Sequence, residues 1–134
     1  MKIKTSEIQG AALVVMVAQV EKLPVEKSHG GWLVFDSHDD GNLHWSDFDN
    51  DNRWQKFDPS TDWAQGGPII EQEKIELNLF GSGWMATRID GPAVSEEIGP
   101  TPLVAAMRCY VASEFGDEVD VPDELLEESK HEMD

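Results

Sequence analysis

The segment from Gly99 to Gly116, GPTPLVAAMRCYVASEFG, constrains the fold of this chain more than any other. Thr101 stands where an N-cap belongs, Pro102 has its φ pre-set for a first helical position, and Gly116 supplies a terminator. A helix over 101–115 follows. One side of it carries Leu103, Val104, Met107, Val111 and Phe115, while the other shows only Ala105, Ala106, Cys109, Ala112 and Ser113. A helix with apolar or very small residues nearly all round is central to its fold. The rest of the chain has to cover it.

A second helical period begins at Gln9 or Gly10, runs through Leu13, Val14, Val17, Ala18 and Val20, and stops at Pro24. It is apolar from Ala11 to Ala18 and follows Lys2 and Lys4, but Gln19, Glu21 and Lys22 stand where a signal peptide would have small residues for cleavage. It reads as a packing helix, and the chain is expected to remain in the compartment where it is made. Trp32-Leu33-Val34-Phe35 follows Gly30-Gly31 and suits a buried strand. Ile75, Leu77 and Leu79 alternate with Glu76 and Asn78, Gly81-Ser82-Gly83 turns the chain, and Trp84 to Thr87 returns. This is the pattern of a β-hairpin. No run approaches the roughly 18 apolar residues of a membrane span. With 134 residues, 40% of them hydrophobic, the elements fit a single α+β domain over 1–121, a small antiparallel sheet packed against two main helices. An acidic tail over 122–134 follows, with one short helical pattern from Pro122 to Ser129.

The net charge of −17 argues against direct binding to nucleic acid, whose phosphates most of the surface would repel. Its distribution is uneven. Residues 36–62 carry −6 and residues 114–134 carry −9, whereas residues 1–35 carry +1 and residues 63–113 carry −3. The middle of the chain can therefore hold an anion if its few bases converge. Asp47-Phe48-Asp49-Asn50-Asp51-Asn52, with Trp54 and Asp58 at the eighth and twelfth places, approaches a calcium-loop count. It lacks the glutamate at the twelfth place and the glycine at the sixth. A second register from Asp36, through Asp40, Gly41, Leu43 and Asp47, has His38 where an oxygen ligand belongs. The expectation is a solvated acidic loop, with His38 and His44 structural or on the surface and no metal site. The single cysteine, Cys109, excludes an intramolecular disulfide, fits a reducing cytoplasm, and reads as a small packing residue.

The string STDWAQGGPII at 60–70 packs turn formers, an aromatic residue and a Gly-Gly-Pro triplet into eleven residues. Thr61 or Asp62 can cap a short turn, Gly66 and Gly67 allow close backbone approach, and Pro68 suits a first helical position. The N–H groups of Ile69 and Ile70 would then be free to face the glycines. Together with GPTPLVAAMRCYVAS at 99–113 and the opening MKIKTSEIQGAAL, this string resembles the small phage proteins of the NinX-like family. The resemblance spans the N-terminal helix, the 57–73 segment and 99–121. It implies a bacteriophage or prophage origin, and with the single cysteine and the missing cleavage region the expected location is the host cytoplasm. It implies no activity, because the family is one of unknown function. The aspartate-rich 36–58 region falls outside it, and Val15 and Met16 stand where the family start tends to carry an acidic residue and a tryptophan.

No catalytic constellation stands out. Ser60, Ser82 and Ser95 lack a nucleophile-elbow context, Cys109 has no evident base, and neither a Walker nor a Rossmann glycine pattern occurs. A binding protein without enzymatic activity or cofactor is the expectation. Arg108 sits at the edge of the apolar face of the central helix, where its guanidinium must find partners. It either makes an internal salt bridge to Asp62 or Glu71, or converges with helix N-termini on an anionic ligand. The candidate ligand-binding set is Asp62, Trp63, Gln65, Gly66, Gly67, Trp84, Thr101 and Arg108, with Trp63 and Trp84 as stacking walls for a planar group and core packing as their commoner use. Two partner readings follow. The first is a nucleotide-like small molecule, sequestered to counter host defence, and the second is a basic host protein whose nucleic-acid groove the acidic segments mimic. Homo-oligomerisation stays open, and no membrane partner is expected.

Overall fold

A computed structural model describes residues 2–22, 25–28, 31–35 and 54–122. Its elements, in order, are β1 (Lys2–Lys4), a 3-10 turn (Thr5–Glu7), α1 (Gly10–Glu21), β2 (Val25–Ser28), β3 (Gly31–Phe35) and β4 (Trp54–Lys56). There follow α2 (Trp63–Glu73), β5 (Glu76–Phe80), β6 (Gly83–Asp90), β7 (Ala93–Gly99), α3 (Pro102–Phe115) and β8 (Glu118–Asp120). The architecture is α+β, as the composition of elements leads one to expect.

The caps of α3 work as the sequence reads. Thr101 Oγ1 accepts from the Val104 N–H at 3.1 Å, and Gly116, at φ +89°, donates its N–H to the Ala112 carbonyl at 2.8 Å. Leu103 and every residue from Ala105 to Val111 are buried. Phe115 departs from expectation, being 43% exposed, because it is the last helical residue and Gly116 turns the chain away there. α1 is more central than its periodic stripe suggests, with eight consecutive residues, Ala11 to Ala18, all buried. It ends where Lys22 adopts a left-handed conformation and its N–H caps the Ala18 and Gln19 carbonyls. Tyr110 on α3 donates its hydroxyl to the Glu21 carboxylate and so joins the two helices.

The hairpin forms as read, with strand partners Leu77↔Ala86 and Leu79↔Trp84. β7 extends it to a three-stranded antiparallel sheet in the order β5-β6-β7. Both connections are two-residue turns, Gly81-Ser82 and Gly91-Pro92, each opening on a glycine with positive φ. A glycine-first turn of this kind matches the twist of the strands it joins. Directly paired residues share a sheet face, so Leu77, Ala86 and Glu97 form one row and Leu79, Trp84 and Gly99 the next. This face packs on α3, with Ala86 fully buried. The opposite face leaves Phe80, Ile89, Val94 and Ile98 exposed. β1 pairs antiparallel with β8 through Ile3↔Val119, and β2-β3-β4 form a third sheet containing the expected Trp32-Phe35 strand.

α2 corrects the sequence reading. It begins at Trp63, not at Pro68, so Gly66, Gly67 and Pro68 are interior helical residues. Asp62 is the N-cap, its carboxylate accepting from the Ala64 N–H at 2.9 Å. Because the cap lies six residues before Pro68, the N–H groups of Ile69 and Ile70 fall inside the helix and are not left free for a ligand. The aspartate-rich loop from Asp36 to Asp51 with its histidines, and the helical pattern after Pro122, lie outside the described residues.

Candidate functional site

α3 presents Val104 and Arg108, one turn apart, to β7. Arg108 is only 7% exposed, yet its guanidinium has no carboxylate in contact. Its Nε donates to the Ile8 carbonyl at 2.8 Å, and its Nη1 to the Ile98 carbonyl at 2.9 Å. Two segments about 90 residues apart in sequence are thereby tied to one side chain. Nη2 has no acceptor among the described residues. Burial pushes the guanidinium pKa down, opposed by the fields of Glu97 and Glu7. Arg108 lines a cleft of about 510 Å³ whose walls include Ser6, Phe80, Ser82, Trp84 and Pro100. Glycines make that cleft. A Cβ on Gly99 would stand 2.7 Å from the Ala105 nitrogen, and one on Gly83 would stand 2.6 Å from the Gly99 oxygen. Only glycine lets β6, β7 and the first turn of α3 meet this closely. Trp84 faces Gly99 across the strands, over a position with no side chain to pack against it.

A second cleft, of about 700 Å³, meets the first at Ser6 and is lined by Lys2, Lys4, Glu97, Phe115, Asp117 and Glu118. The 3-10 turn holds its place where the clefts meet because Thr5 is stitched to the exit of α3. The Thr5 N–H donates to the Asp117 carbonyl at 2.7 Å and its hydroxyl to the Gly116 carbonyl at 2.6 Å. Glu97 is 9% exposed and has no hydrogen-bond or ion-pair partner among the described residues. Burial raises its pKa, the field of Asp117 adds to this, and Arg108 acts against both. Two buried ionisable groups of opposite sign thus line adjoining clefts without touching each other.

The eight sequence candidates divide. Trp84 and Arg108 come together in the first cleft, with Pro100, the neighbour of Thr101, on its wall. Thr101 itself uses its hydroxyl oxygen as a cap. The α2 candidates lie elsewhere and have local work. Asp62 caps the helix, Gln65 Oε1 accepts from the Asp58 N–H at 2.7 Å, and Trp63 is 55% exposed. A Cβ on Gly66 would stand 2.4 Å from the Pro59 oxygen and 2.6 Å from Leu103 Cδ2, so this glycine admits α3 rather than a ligand. Gly67 has only Trp63 Cε3 near it, at 3.9 Å. The salt bridge of Arg108 to Asp62 or Glu71 is not formed. The reason is helical geometry: Gly66 meets α3 at Leu103, five residues before Arg108 and therefore about 140° round the helix from it. Sequence reasoning missed β7, Glu97 and Ser6. The Asp90-Gly91 pair was a hairpin signal, but the inward position of Glu97 emerges only once the register is known.

Other chemistry finds no support here. The Cys109 thiol is buried, donates to the Ser95 carbonyl at 3.3 Å, and is pushed up to about 12 by burial, so it stays protonated at neutral pH. Among the described residues no group of three or more His, Cys, Asp or Glu side chains is placed to hold a metal ion, and no helix is long and apolar enough to cross a membrane. No curated protein sequence matches the chain at a significant level. A family model does. The model described as "Bacteriophage P22, NinX" matches residues 4–114, a span that takes in α1, α2, the three strands of the main sheet and nearly all of α3, and the chain belongs to this family of phage proteins.

Proposed function

We propose that this phage protein binds a nucleotide-like small molecule in the cleft between Trp84 and Arg108. One observation carries the reading. Arg108 is nearly buried, is held by two backbone carbonyls instead of by a carboxylate, and keeps Nη2 without an acceptor at the edge of a cleft. A guanidinium fixed in this way is already desolvated and oriented, so an anionic group gains a charge-assisted contact without ordering a flexible side chain. Trp84 beside it supplies a face for a planar group. The mode of action in this reading is sequestration of the ligand, not its turnover. In a phage protein such binding would withdraw a nucleotide-type signal from host defence, a step that rests on analogy.

Native mass spectrometry of the full chain purified from phage-infected cells tests this. The expected result is a bound mass that is released on denaturation, identified as a nucleotide, and absent from Arg108→Lys, which keeps the charge but loses the fork geometry. A parent chain that carries no small molecule and gives no heat with a panel of nucleotides would remove the reading. A host protein captured instead, in a salt-sensitive complex, would favour the acidic-mimic alternative.

A further inference from the structure

The buried carboxylate of Glu97 is unused by the binding reading so far. It is nine-tenths buried, it lines the second cleft, and no donor among the described residues reaches it. Its oxygens open on the cleft, where donors of a bound ligand would take the place of water. Its position on the sheet says where that ligand lies. Trp84 pairs with Gly99, and Glu97 lies two residues along β7 on the same face, which makes Trp84 and Glu97 diagonal neighbours with roughly 7–8 Å between their backbones. A planar group stacked on the indole therefore has an edge within reach of the carboxylate. Arg108 and the two clefts' shared residue, Ser6, lie beside it.

We propose that Glu97 selects the ligand's base, accepting hydrogen bonds from an edge with two adjacent N–H donors, as guanine presents through N1–H and its 2-amino group. This rests on the nucleotide reading above. The ionic surroundings are of mixed sign, Lys2, Lys4 and Arg108 against Asp117 and Glu118, so a neutral donor edge meets the carboxylate without adding a charge, and Arg108 is left for the phosphate. Adenine presents an unprotonated N1 at the same edge. Its lone pair would face the carboxylate, and both groups would stay unsatisfied.

Titration calorimetry of the full chain with GMP, IMP and AMP tests the assignment. GMP is expected to bind about tenfold or more tighter than AMP, in line with a charged hydrogen-bond pair. IMP, which lacks the 2-amino group, should fall between them. Glu97→Gln should bring GMP down to the level of AMP, with AMP unchanged and the melting temperature not lowered. Equal affinity of the parent for GMP and AMP, or a GMP preference retained in Glu97→Gln, overturns the role of Glu97 while leaving nucleotide binding in place. No measurable binding of any of the three overturns both.

Discussion

Gly66 and Gly67 show how adjacent, identical residues can have opposite requirements. Both look in sequence like places for a ligand to approach the backbone, and the fold gives them different surroundings. Gly66 is where α2 touches the Pro59 carbonyl and Leu103, and a methyl group there collides with both. Gly67 faces open space apart from the edge of Trp63. Gly66→Ala should therefore destabilise the fold by about 2 kcal/mol, as overpacking does. Gly67→Ala should stabilise it by roughly 0.5–1 kcal/mol, the usual gain from replacing glycine inside a helix. Urea denaturation of the two variants checks the pair, and similar midpoints would contradict this account of α2. Arg108 is the residue whose importance was visible in sequence, because a guanidinium on an otherwise apolar helix demands partners. Which partners it takes was not visible, since backbone carbonyls carry no sequence signature.

At the scale of elements, α3 was readable because its ends carry their own instructions. Thr101, Pro102 and Gly116 act on groups within four residues of themselves, and local bonds of that kind do not depend on the rest of the fold. Thr101→Ala should cost about 1 kcal/mol in denaturant titrations, a typical loss for an N-cap. Under the proposed function, nucleotide affinity should be unchanged, since Thr101 does not line the cleft that holds Trp84 and Arg108. Any large loss of binding would mean that Thr101 faces the ligand as well. α2 was harder to read because two start signals compete: Asp62 as a cap, and Pro68 as a first-turn residue. The cap comes first along the chain and closes a bond to Ala64, so the helix starts there and carries the proline within it. β7 lacks the alternation that marked the hairpin, because its inward positions are Ser95, Glu97 and Gly99 and its outward ones include Val94 and Ile98. The pattern is nearly inverted, with apolar side chains in water and a carboxylate against the helix.

On the scale of the whole molecule, that inversion has a thermodynamic consequence. Burial holds the pKa of Glu97 above its ordinary value, so the fold favours its protonation more than the unfolded chain does. Its contribution to stability is then fully present below the ordinary glutamate range and is lost as pH rises through the folded-state pKa. Glu97→Gln, which is neutral at every pH, should melt higher than the parent at pH 7, and the difference should shrink as pH falls toward 4. A variant that melts lower at pH 7 would show that the charged form is stabilised in the fold. If the proposed role of Glu97 holds, the residue trades stability for binding, as functional-site residues commonly do. The amino-acid sequence by itself determined the two central helices, the hairpin, the α+β class and the phage family. These depend on local caps, short periodicities and contiguous strings. The tertiary structure alone decided that Gly99 and Gly83 open a path for α3, that Arg108 is bound by carbonyls from Ile8 and Ile98, and that Glu97 lies beside Trp84. Each of these joins residues far apart in the chain, and strand register and helix phase place them together only after the whole domain has folded.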